Sequence, residues 1–498
     1  MTSQSGSFMP SLLLNRREAL QAGMAALASG LPPAAGAQSA PARRSKKVIV
    51  AGGGIGGLCC AYELMKRGHD VLLLEASGRT GGHVRTLHDP LPDGLYADVG
   101  AEHFTKPGYD QLWKYVEEFA LPVLPYPRRD HQLQPIDGKW YSDEQLRDRN
   151  VLQSFGFNRR EIEFLMKNDL TELSRLYFAP YFDAFADDYQ PFDIGLDQLD
   201  QMTIGDLLAE AGASDAAFRF TGGERRGDGG QAARPSGTSA LYRIWQSAIR
   251  KRRGVAEGHK ELYRLRGGNQ RVVDAFVAKL GERVRLGCPV TAIEHGPSGV
   301  TVHYIEYGAP QRHEAEYLVS ALPMGKLKDI PVTPPWPEAK DFAIRNVVFS
   351  SQARVVFQCR TPFWKGDLPS ANVSFGDGAL NAIWESAEEV AGGHALLLGH
   401  AKPRATAAEA AAVLRQRYPG KHKPTIEQTL VHHWIDDPWS AWCERLPFPL
   451  GQMRKFWPHV MEPVGRIHFA GAHADNIPWG MDASTRSANR VAQAIDDA

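Results

Sequence analysis

The sequence has few cysteines, no excess of charge of either sign and no long apolar run. Its 498 residues include five cysteines, an odd number without CxxC spacing, so neither a disulfide framework nor a zinc site is expected. Lys+Arg and Asp+Glu each number 57, and this balance offers no electrostatic attraction for nucleic acid. No apolar stretch approaches the roughly 20 residues of a membrane-spanning helix. The length predicts a globular chain of two or three domains.

The N-terminal residues have the pattern of a targeting segment. Arg16-Arg17 precede a mildly apolar stretch, Ala22 to Leu31, and Ala35-Gly36-Ala37 then matches an A-x-A cleavage site. This order resembles a twin-arginine export signal; the alternative is a disordered arm with a chance arginine pair. We expect residues 1–37 to be a signal peptide that the twin-arginine export machinery recognises. The mature protein is then periplasmic or secreted.

A strand, a glycine-rich turn, a helix and a second strand follow one another after this segment. The apolar run Val48–Ala51 predicts a strand buried on both faces, and residues 52–57 satisfy GxGxxG. Residues 58–67 have helical periodicity, and the apolar run 71–74 ends at Glu75. Glycines in such a turn let the backbone approach a pyrophosphate, which the helix N-terminus attracts. The pattern therefore predicts a dinucleotide site.

The residues that follow this acid identify the dinucleotide. The stretch Glu75-Ala76-Ser77-Gly78-Arg79-Thr80-Gly81-Gly82-His83-Val84-Arg85-Thr86 resembles the E-A-x-x-R-x-G-G-R-x-x-T segment of the flavin amine oxidase family. That family includes L-amino-acid oxidases and polyamine oxidases. His83 stands where the family usually has arginine. The resemblance implies FAD as the cofactor, and we expect it to be bound without a covalent link.

Later segments resemble the same family in the same order. They include residues 265–271, the strand pair 284–293, the apolar strand 465–471 and the helix start 479–485. Ala472 departs from the family, which usually has an acid there. The resemblance implies these cofactor-binding residues: Gly52, Gly54, Ile55, Gly56, Gly57, Glu75, Ala76, Arg79, Gly82, His83, Gly100, Ala101, Val290, Gly471, Gly480, Met481, Asp482 and Ala483.

The loop Asp98–Phe104 resembles the family segment that faces the substrate. L-amino-acid oxidases have an arginine at the position of His103, where it binds the substrate carboxylate. Because this chain has no arginine there, the sequence favours Glu102 and His103 as the groups that receive a cationic amine. The alternative is a buried pair satisfied by backbone groups.

Other residues are candidates for the substrate side. The segment Val319–Ile330 resembles the one that carries a lysine holding a water beside the flavin. Ungapped alignment places Asp329 at that position, and a shift of one residue would restore Lys328, our candidate.

The indole of Trp479 is a candidate for catalysis beside Glu102, His103 and Lys328. With Trp384, Trp439 and Trp442 it is also a candidate for an aromatic cage around the amine. Each of these indoles has core packing as its alternative.

Cys443 has the spacing from Trp434 at which monoamine oxidases carry their flavin-linked cysteine. The surrounding residues, Ser440-Ala441-Trp442-Cys443-Glu444, differ from the Ser-Gly-Gly-Cys-Tyr of those enzymes. Cysteines outside disulfides usually pack as small buried hydrophobes. We therefore expect a thiol near the flavin rather than a thioether to it.

The predicted fold is α/β. A Rossmann-like FAD-binding domain is discontinuous and is formed by residues 46–110, 262–322 and 455–498. A second, α+β substrate domain on a mixed sheet is formed by residues 111–261 and 323–454. The substrate cavity is expected at the boundary of the two.

The resemblance implies oxidation of a primary or secondary amine to an imine, with hydride transfer to FAD and reoxidation by O2 to give H2O2. Monoamines, polyamines and amino acids are the candidate substrates. Two alternatives remain open. Phytoene desaturases and protoporphyrinogen oxidases share the dinucleotide segment and oxidise C–C or ring bonds, while a flavin dehydrogenase passes electrons to an acceptor other than oxygen. A homodimer is one candidate for the oligomeric state.

Overall fold

The computed structural model describes most of the chain after the N-terminal segment. The described residues are 44–222, 237–256, 258–259, 261–365, 371–376, 378–418, 425–477 and 479–498. The predicted signal peptide, residues 1–37, lies outside them. Residues Lys46–Ala498 form one compact unit, so the division into two domains stays a prediction.

The strands are short, as is usual in globular proteins, and are numbered in chain order. They are β1 (Lys47–Ala51), β2 (Asp70–Leu74), β3 (Thr86–Leu87), β4 (Ala97–Asp98), β5 (Phe104–Thr105), β6 (Val123–Pro125), β7 (Leu133–Ile136), β8 (Lys139–Ser142), β9 (Leu262–Leu265), β10 (Val284–Arg285), β11 (Val290–Gly296), β12 (Gly299–Glu306), β13 (Ala309–Ala315), β14 (Tyr317–Ser320), β15 (Val332–Thr333), β16 (Phe349–Ser350), β17 (Ala353–Cys359), β18 (Val373–Ser374), β19 (Leu380–Ser386), β20 (Ala395–Ala401), β21 (Ile426–His433), β22 (Glu444–Arg445) and β23 (Ile467–Phe469).

The α-helices are numbered in the same way. They are α1 (Ile55–Lys66), α2 (Asp110–Glu118), α3 (Arg149–Ser154), α4 (Arg159–Leu165), α5 (Leu173–Phe178), α6 (Ile204–Glu210), α7 (Asp215–Thr221), α8 (Ala240–Arg252), α9 (Gln270–Leu280), α10 (Met324–Leu327), α11 (Glu338–Asn346), α12 (Ala407–Arg417), α13 (Met453–Phe456) and α14 (Gly480–Asp497). Among the described residues, no helix is both long enough and apolar enough to cross a membrane.

A five-stranded parallel sheet joins distant parts of the chain. Its strand order is β10-β2-β1-β14-β23, and Val48 of β1 lies opposite Val71 of β2 and Tyr317 of β14. Alternate residues of β1 face opposite sides of the sheet. Val48 and Val50 pack against α1, α9 and α14, whereas Ile49 and Ala51 pack against the mixed sheet β13-β12-β11-β15. Burial on both faces explains the nearly continuous apolar run.

A seven-stranded sheet forms the second large layer, with strand order β21-β17-β20-β19-β18-β7-β8. All its pairings are antiparallel except that of β18 with β7. The helices α3 to α8 share a separate apolar core with Phe448 and Trp457. The predicted α/β class, with a parallel dinucleotide-type sheet and a second mixed sheet, is confirmed.

Candidate active site

A cavity of about 580 Å³ lies beyond the carboxyl ends of β1, β2 and β14, where open parallel sheets bind their ligands. Its lining residues come from each segment that carries a predicted cofactor-binding residue. They are Gly52, Gly54, Ile55, Gly56, Gly57, Glu75, Ala76, Gly81, Gly82, His83, Val84, Val99, Gly100, Ala101, Glu102, His103, Tyr109, Arg128, Arg129, Val290, Ala321, Leu322, Pro323, Lys326, Asp329, Ile330, Gln352, Ala353, Arg354, His400, Trp434, Trp439, Ser440, Cys443, Gly471, Ala472, His473, Gly480, Met481 and Ser484.

The glycine-rich turn leaves no room for side chains at two of its positions. A Cβ atom on Gly57 would lie 1.9 Å from the carbonyl oxygen of Gly52, and one on Gly52 would lie 2.8 Å from the carbonyl oxygen of Ala321. A Cβ on Gly54, in contrast, would meet nothing within 4 Å. Two glycines therefore permit close packing of turn, helix and sheet, and the third opens the turn to the cavity.

The carboxylate of Glu75 holds this turn in place. Oε2 accepts a hydrogen bond of 2.6 Å from the backbone N–H of Gly53, and Oε1 accepts one of 2.8 Å from Ser77. Glu75 lies directly after β2, as the sequence pattern predicts for the acid that accompanies a dinucleotide turn. The side chain is buried and lines the cavity.

Two helices begin at the cavity without a side-chain cap. In α1 the N-cap is Gly54 and the first turn has no acid, and in α14 the N-cap is Trp479, whose side chain makes no capping hydrogen bond. The first N–H groups of a helix need partners from outside the helix. Uncapped N-termini that face a cavity suit an anion, and a pyrophosphate at α1 is such a ligand.

His83 is held as a neutral donor at the edge of the cavity. Its Nε2 lies 2.7 Å from the carbonyl oxygen of Ser440, and because a carbonyl only accepts, Nε2 carries the proton. The ring stacks on the indole of Trp434 with 3.9 Å between centroids. Burial, partly opposed by the Ser440 carbonyl, lowers the pKa of His83 to about 4. His83 therefore brings no charge to the position where the family has arginine.

Glu102 forms ion pairs with two arginines that the sequence did not single out. Its Oε1 contacts Nη1 of Arg128, and its Oε2 lies 3.4 Å from Nη1 of Arg354. Arg354 also donates to the carbonyl oxygen of Gly100 at 2.9 Å. This arrangement differs from the expectation that Glu102 receives a cationic substrate, because both oxygens of the carboxylate already face guanidinium groups.

Two histidines beside these arginines are neutral. Nδ1 of His103 accepts from Nη1 of Arg128 at 3.3 Å, and Nε2 of His400 accepts from Nη1 of Arg354 at 3.0 Å. Burial and the neighbouring Arg129 and Arg354 lower the pKa of His103 to about 3. Burial, Arg354 and Arg128 lower the pKa of His400 well below its usual value. Neither imidazole adds charge at neutral pH.

Lys328 points away from the cavity, and Lys326 lines it. The structure therefore corrects the sequence-based choice of Lys328, whose side chain is exposed. Successive residues of a helical turn are about 100° apart, so residues two positions apart face nearly opposite sides of α10. Nζ of Lys326 lies 5.4 Å from the ring of Trp439 and 6.0 Å from that of Trp442.

Other predicted residues lie beside the cavity without lining it. Arg79 faces Asp437, with 3.5 Å between Nη2 and Oδ2, and the indole of Trp479 stacks on Tyr109. The carboxylate of Asp482 turns to the N-terminus of α2, where it accepts from the N–H groups of Gln111 and Leu112. Burial raises the pKa of Asp482 to about 6. Ala483 is buried in the helical core.

The four tryptophans do not form one cage. Trp439 lines the cavity, whereas Trp442 packs against Gly325, where a Cβ would lie 2.5 Å from the indole. Trp384 is buried beneath Arg128, whose guanidinium lies 3.9 Å from its ring centroid. Cys443 lines the cavity, and none of the five cysteines forms a disulfide. The expectation that Cys443 is a thiol near the flavin rather than a thioether to it stays a prediction.

Several cavity residues had only weak signals in the sequence. They are Tyr109, Arg128, Arg129, Lys326, Gln352, Arg354, His400, Trp434 and His473. A usable signal existed for Arg354, because it stands in an apolar run that predicts a buried strand, and a buried arginine needs partners. Arg128 lies in a loop, where nothing in the local pattern indicates burial.

The site fits a flavin dinucleotide on its own geometry. The turn at Gly54 is open, the N-termini of α1 and α14 lack side-chain caps, and Nε2 of His473 is buried without a hydrogen-bond partner among the described residues. A sequence profile of the flavin containing amine oxidoreductase family matches residues 55–496. The chain belongs to this family. FAD is therefore its cofactor, and the protein is an oxidoreductase of CH–NH or CH–NH2 donors.

Known relatives are similar along nearly the whole chain. Amine oxidase [flavin-containing] A of Sus scrofa is 24% identical over 477 residues, covering 90% of this chain and 84% of that protein. The flavin-dependent L-tryptophan oxidase of Lentzea aerocolonigenes is 26% identical over 486 residues, covering 91% and 98%. The structure of cyclohexylamine oxidase from Brevibacterium oxydans IH-35A has a TM-score of 0.71 at 21% identity, covering 91% of this chain and 99% of that chain, and shows the same fold.

Proposed function

We propose that this protein oxidises an amine to an imine and that dioxygen accepts the electrons, giving H2O2. The observation that carries the proposal is the continuity of the cavity. The glycine-rich turn at one end and the wall formed by His103, Lys326 and Arg354 at the other line one space. A bound cofactor and a substrate would therefore meet without any part of the fold moving between them.

FAD, when bound, supplies the two-electron oxidation of the C–N bond. We expect the N–H groups at the start of α1 to hold its pyrophosphate, and the family resemblance implies that the backbone at Val290, which lines the cavity, holds the adenine. The uncapped start of α14 is placed to stabilise negative charge on the ring. The relatives named as amine and L-tryptophan oxidases support amine oxidation as the reaction.

The side chains around the wall formed by His103, Lys326 and Arg354 suit the binding of a neutral amine. His103 and His400 are neutral, and Trp439 adds an apolar wall that limits water. Lys326 is the lysine that reaches the cavity among the described residues. Its Nζ can donate hydrogen bonds to a water molecule or to the substrate nitrogen.

Anaerobic reduction of the bound flavin tests the proposal. The purified holoenzyme is mixed without oxygen with monoamines, polyamines and L-amino acids, and with the alcohol that corresponds to each amine as a matched control. We expect an amine or amino acid, but not its alcohol, to bleach the flavin, and air to restore the colour with stoichiometric H2O2.

The same experiment separates the alternatives. Bleaching that air does not reverse would contradict the oxidase and indicate another electron acceptor. A flavin that no amine or amino acid bleaches would contradict amine oxidation and favour C–C or ring oxidation. The mass of the product identifies an imine or its hydrolysis product in the expected case.

We also propose that the twin-arginine machinery exports the protein to the periplasm or the medium. The support is the order of Arg16-Arg17, the apolar stretch Ala22 to Leu31 and Ala35-Gly36-Ala37 in the sequence. Fractionation of cells that express the complete sequence should find the protein, shortened by cleavage after Ala37, outside the cytoplasm, and a chain with Arg16→Lys and Arg17→Lys inside it. Equal distribution of both chains would contradict export by this route.

A further inference from the structure

Two arginines that line the cavity together with His103 share one carboxylate. Arg128 and Arg354 both pair with Glu102, and the three side chains are 13%, 9% and 4% exposed. Among the described residues, Glu102 is the acid within ion-pair distance of either arginine. Removing charge from water is costly unless an opposite charge is close. The three side chains therefore carry two positive charges against one negative charge.

The nearest further acid, Asp98, acts on Arg354 but forms no ion pair with it among the described residues, and burial raises the pKa of Asp98 to about 6. Its carboxylate accepts hydrogen bonds from Thr86 and from the N–H of Asn269 instead.

Arg129 adds a third guanidinium to the wall and donates to the carbonyl oxygen of His259 at 2.9 Å. His103 and His400 are neutral, because burial and the arginines lower their pKa values. Lys326 and Asp329, which also line the cavity, contribute opposite charges.

Arg128 is positioned as a rigid donor. Its guanidinium lies 3.9 Å from the ring centroid of Trp384, which fixes the plane of the group. Its Nε is buried and has no hydrogen-bond partner among the described residues. Guanidinium groups bind carboxylates through parallel N–H donors, so an unsatisfied donor beside a second arginine suits a carboxylate ligand.

We propose that the amine oxidised by this protein carries a carboxylate, which Arg128 and Arg354 bind beside Glu102. The substrate class is then amino acids, and the inference rests on the proposed function. The arginines come from the loop after β6 and from β17, so the missing arginine at position 103 does not argue against a carboxylate. Polyamines and simple monoamines lack the anion that would complete the charge balance.

A Glu102→Gln variant distinguishes this proposal from the alternative that Glu102 binds the substrate ammonium. If Glu102 received the substrate ammonium, Glu102→Gln would weaken amine binding. In our proposal Glu102 competes with the substrate carboxylate for the arginines, so Glu102→Gln strengthens the binding of a carboxylate. The two ideas predict changes of opposite sign in the same variant.

The test compares amino acids with the amines formed by their decarboxylation, such as phenylalanine with phenethylamine and lysine with cadaverine. For the wild-type holoenzyme we expect kcat/KM to favour the amino acid by about 100-fold or more, the size of two charge-assisted interactions. Arg128→Met and Arg354→Met should each reduce that ratio about 10- to 100-fold. Arg128→Lys and Arg354→Lys keep the charge and should retain part of the preference.

Binding of benzoate, followed by the change it causes in the flavin spectrum, provides a readout without turnover. We expect the two Met variants to weaken benzoate binding and Glu102→Gln to strengthen it, while flavin content reports whether each variant folds. Oxidation of the amines in preference to the amino acids, or benzoate binding unchanged in the Met variants, would overturn the carboxylate proposal alone. A flavin that neither class reduces would overturn the proposed function, whatever benzoate does.

Discussion

Replacement of Gly57 by alanine is expected to lower the affinity for FAD by at least about 100-fold, which corresponds to about 2.7 kcal/mol. The Cβ would lie 1.9 Å from the carbonyl oxygen of Gly52, so the turn or the helix must move. Gly52 and Gly57 flank the N–H groups at the start of α1 that face the cavity. If these groups are displaced, they no longer fit the pyrophosphate. Titration of the apoprotein with FAD, followed by flavin fluorescence, measures the change.

Gly78→Ala is the matched control. Gly78 lies in the same flavin segment, but a Cβ there would meet nothing within 4 Å. Thermal unfolding of the two apoproteins distinguishes a local loss of FAD binding from general misfolding. An FAD affinity for Gly57→Ala within a few-fold of the wild type would show that the turn tolerates the clash and would contradict the packing argument.

The second large effect is expected for Lys326→Met. We expect the rate of anaerobic flavin reduction to fall by about 100-fold or more, within the range for loss of a group that positions a proton in the reaction. Lys326 lies in the cavity beside Trp439, so its removal leaves no lysine on that wall among the described residues. Single-turnover kinetics with a saturating substrate measures this rate apart from binding.

Lys328→Met provides the comparison, because the two lysines are close in sequence and face opposite sides of α10. We expect its flavin reduction rate to stay within about twofold of the wild type, as for most exposed positions. A slow Lys328→Met enzyme beside a normal Lys326→Met enzyme would restore the sequence-based choice. Retention of flavin in both variants is the control for folding.

Sequence reasoning was most reliable where function depends on the backbone. The glycines from 52 to 57 and the acid at the end of β2 lie together at the cavity, because close packing and short turns restrict which residues fit there. Ungapped alignment placed Asp329 at the lysine position of the family, and Asp329 does line the cavity. Lys328, which a shift of one residue favoured, does not line the cavity, whereas Lys326 does, so the role of a lysine at this position stays a prediction.

The sequence patterns were least informative about side chains that meet across the fold. Glu102 was interpreted from its own loop, yet its environment is decided by Arg128 and Arg354, which are distant in sequence. Trp479 adjoins the flavin segment, but its indole packs on Tyr109 instead of lining the cavity. Local patterns specify which elements form and not which side chains face each other between elements.

By itself the sequence determined the α/β class, the dinucleotide turn and the flavin amine oxidoreductase family. These features depend on short-range periodicity and on glycines whose backbone roles few other residues can fill. Only the tertiary structure decided the charge of the substrate pocket. Strand β17 and the loop after β6 bring Arg354 and Arg128 to one carboxylate, and burial keeps the adjacent histidines neutral. Electrostatic balance in a cavity is a property of all its walls together, and the chain supplies those walls from segments hundreds of residues apart.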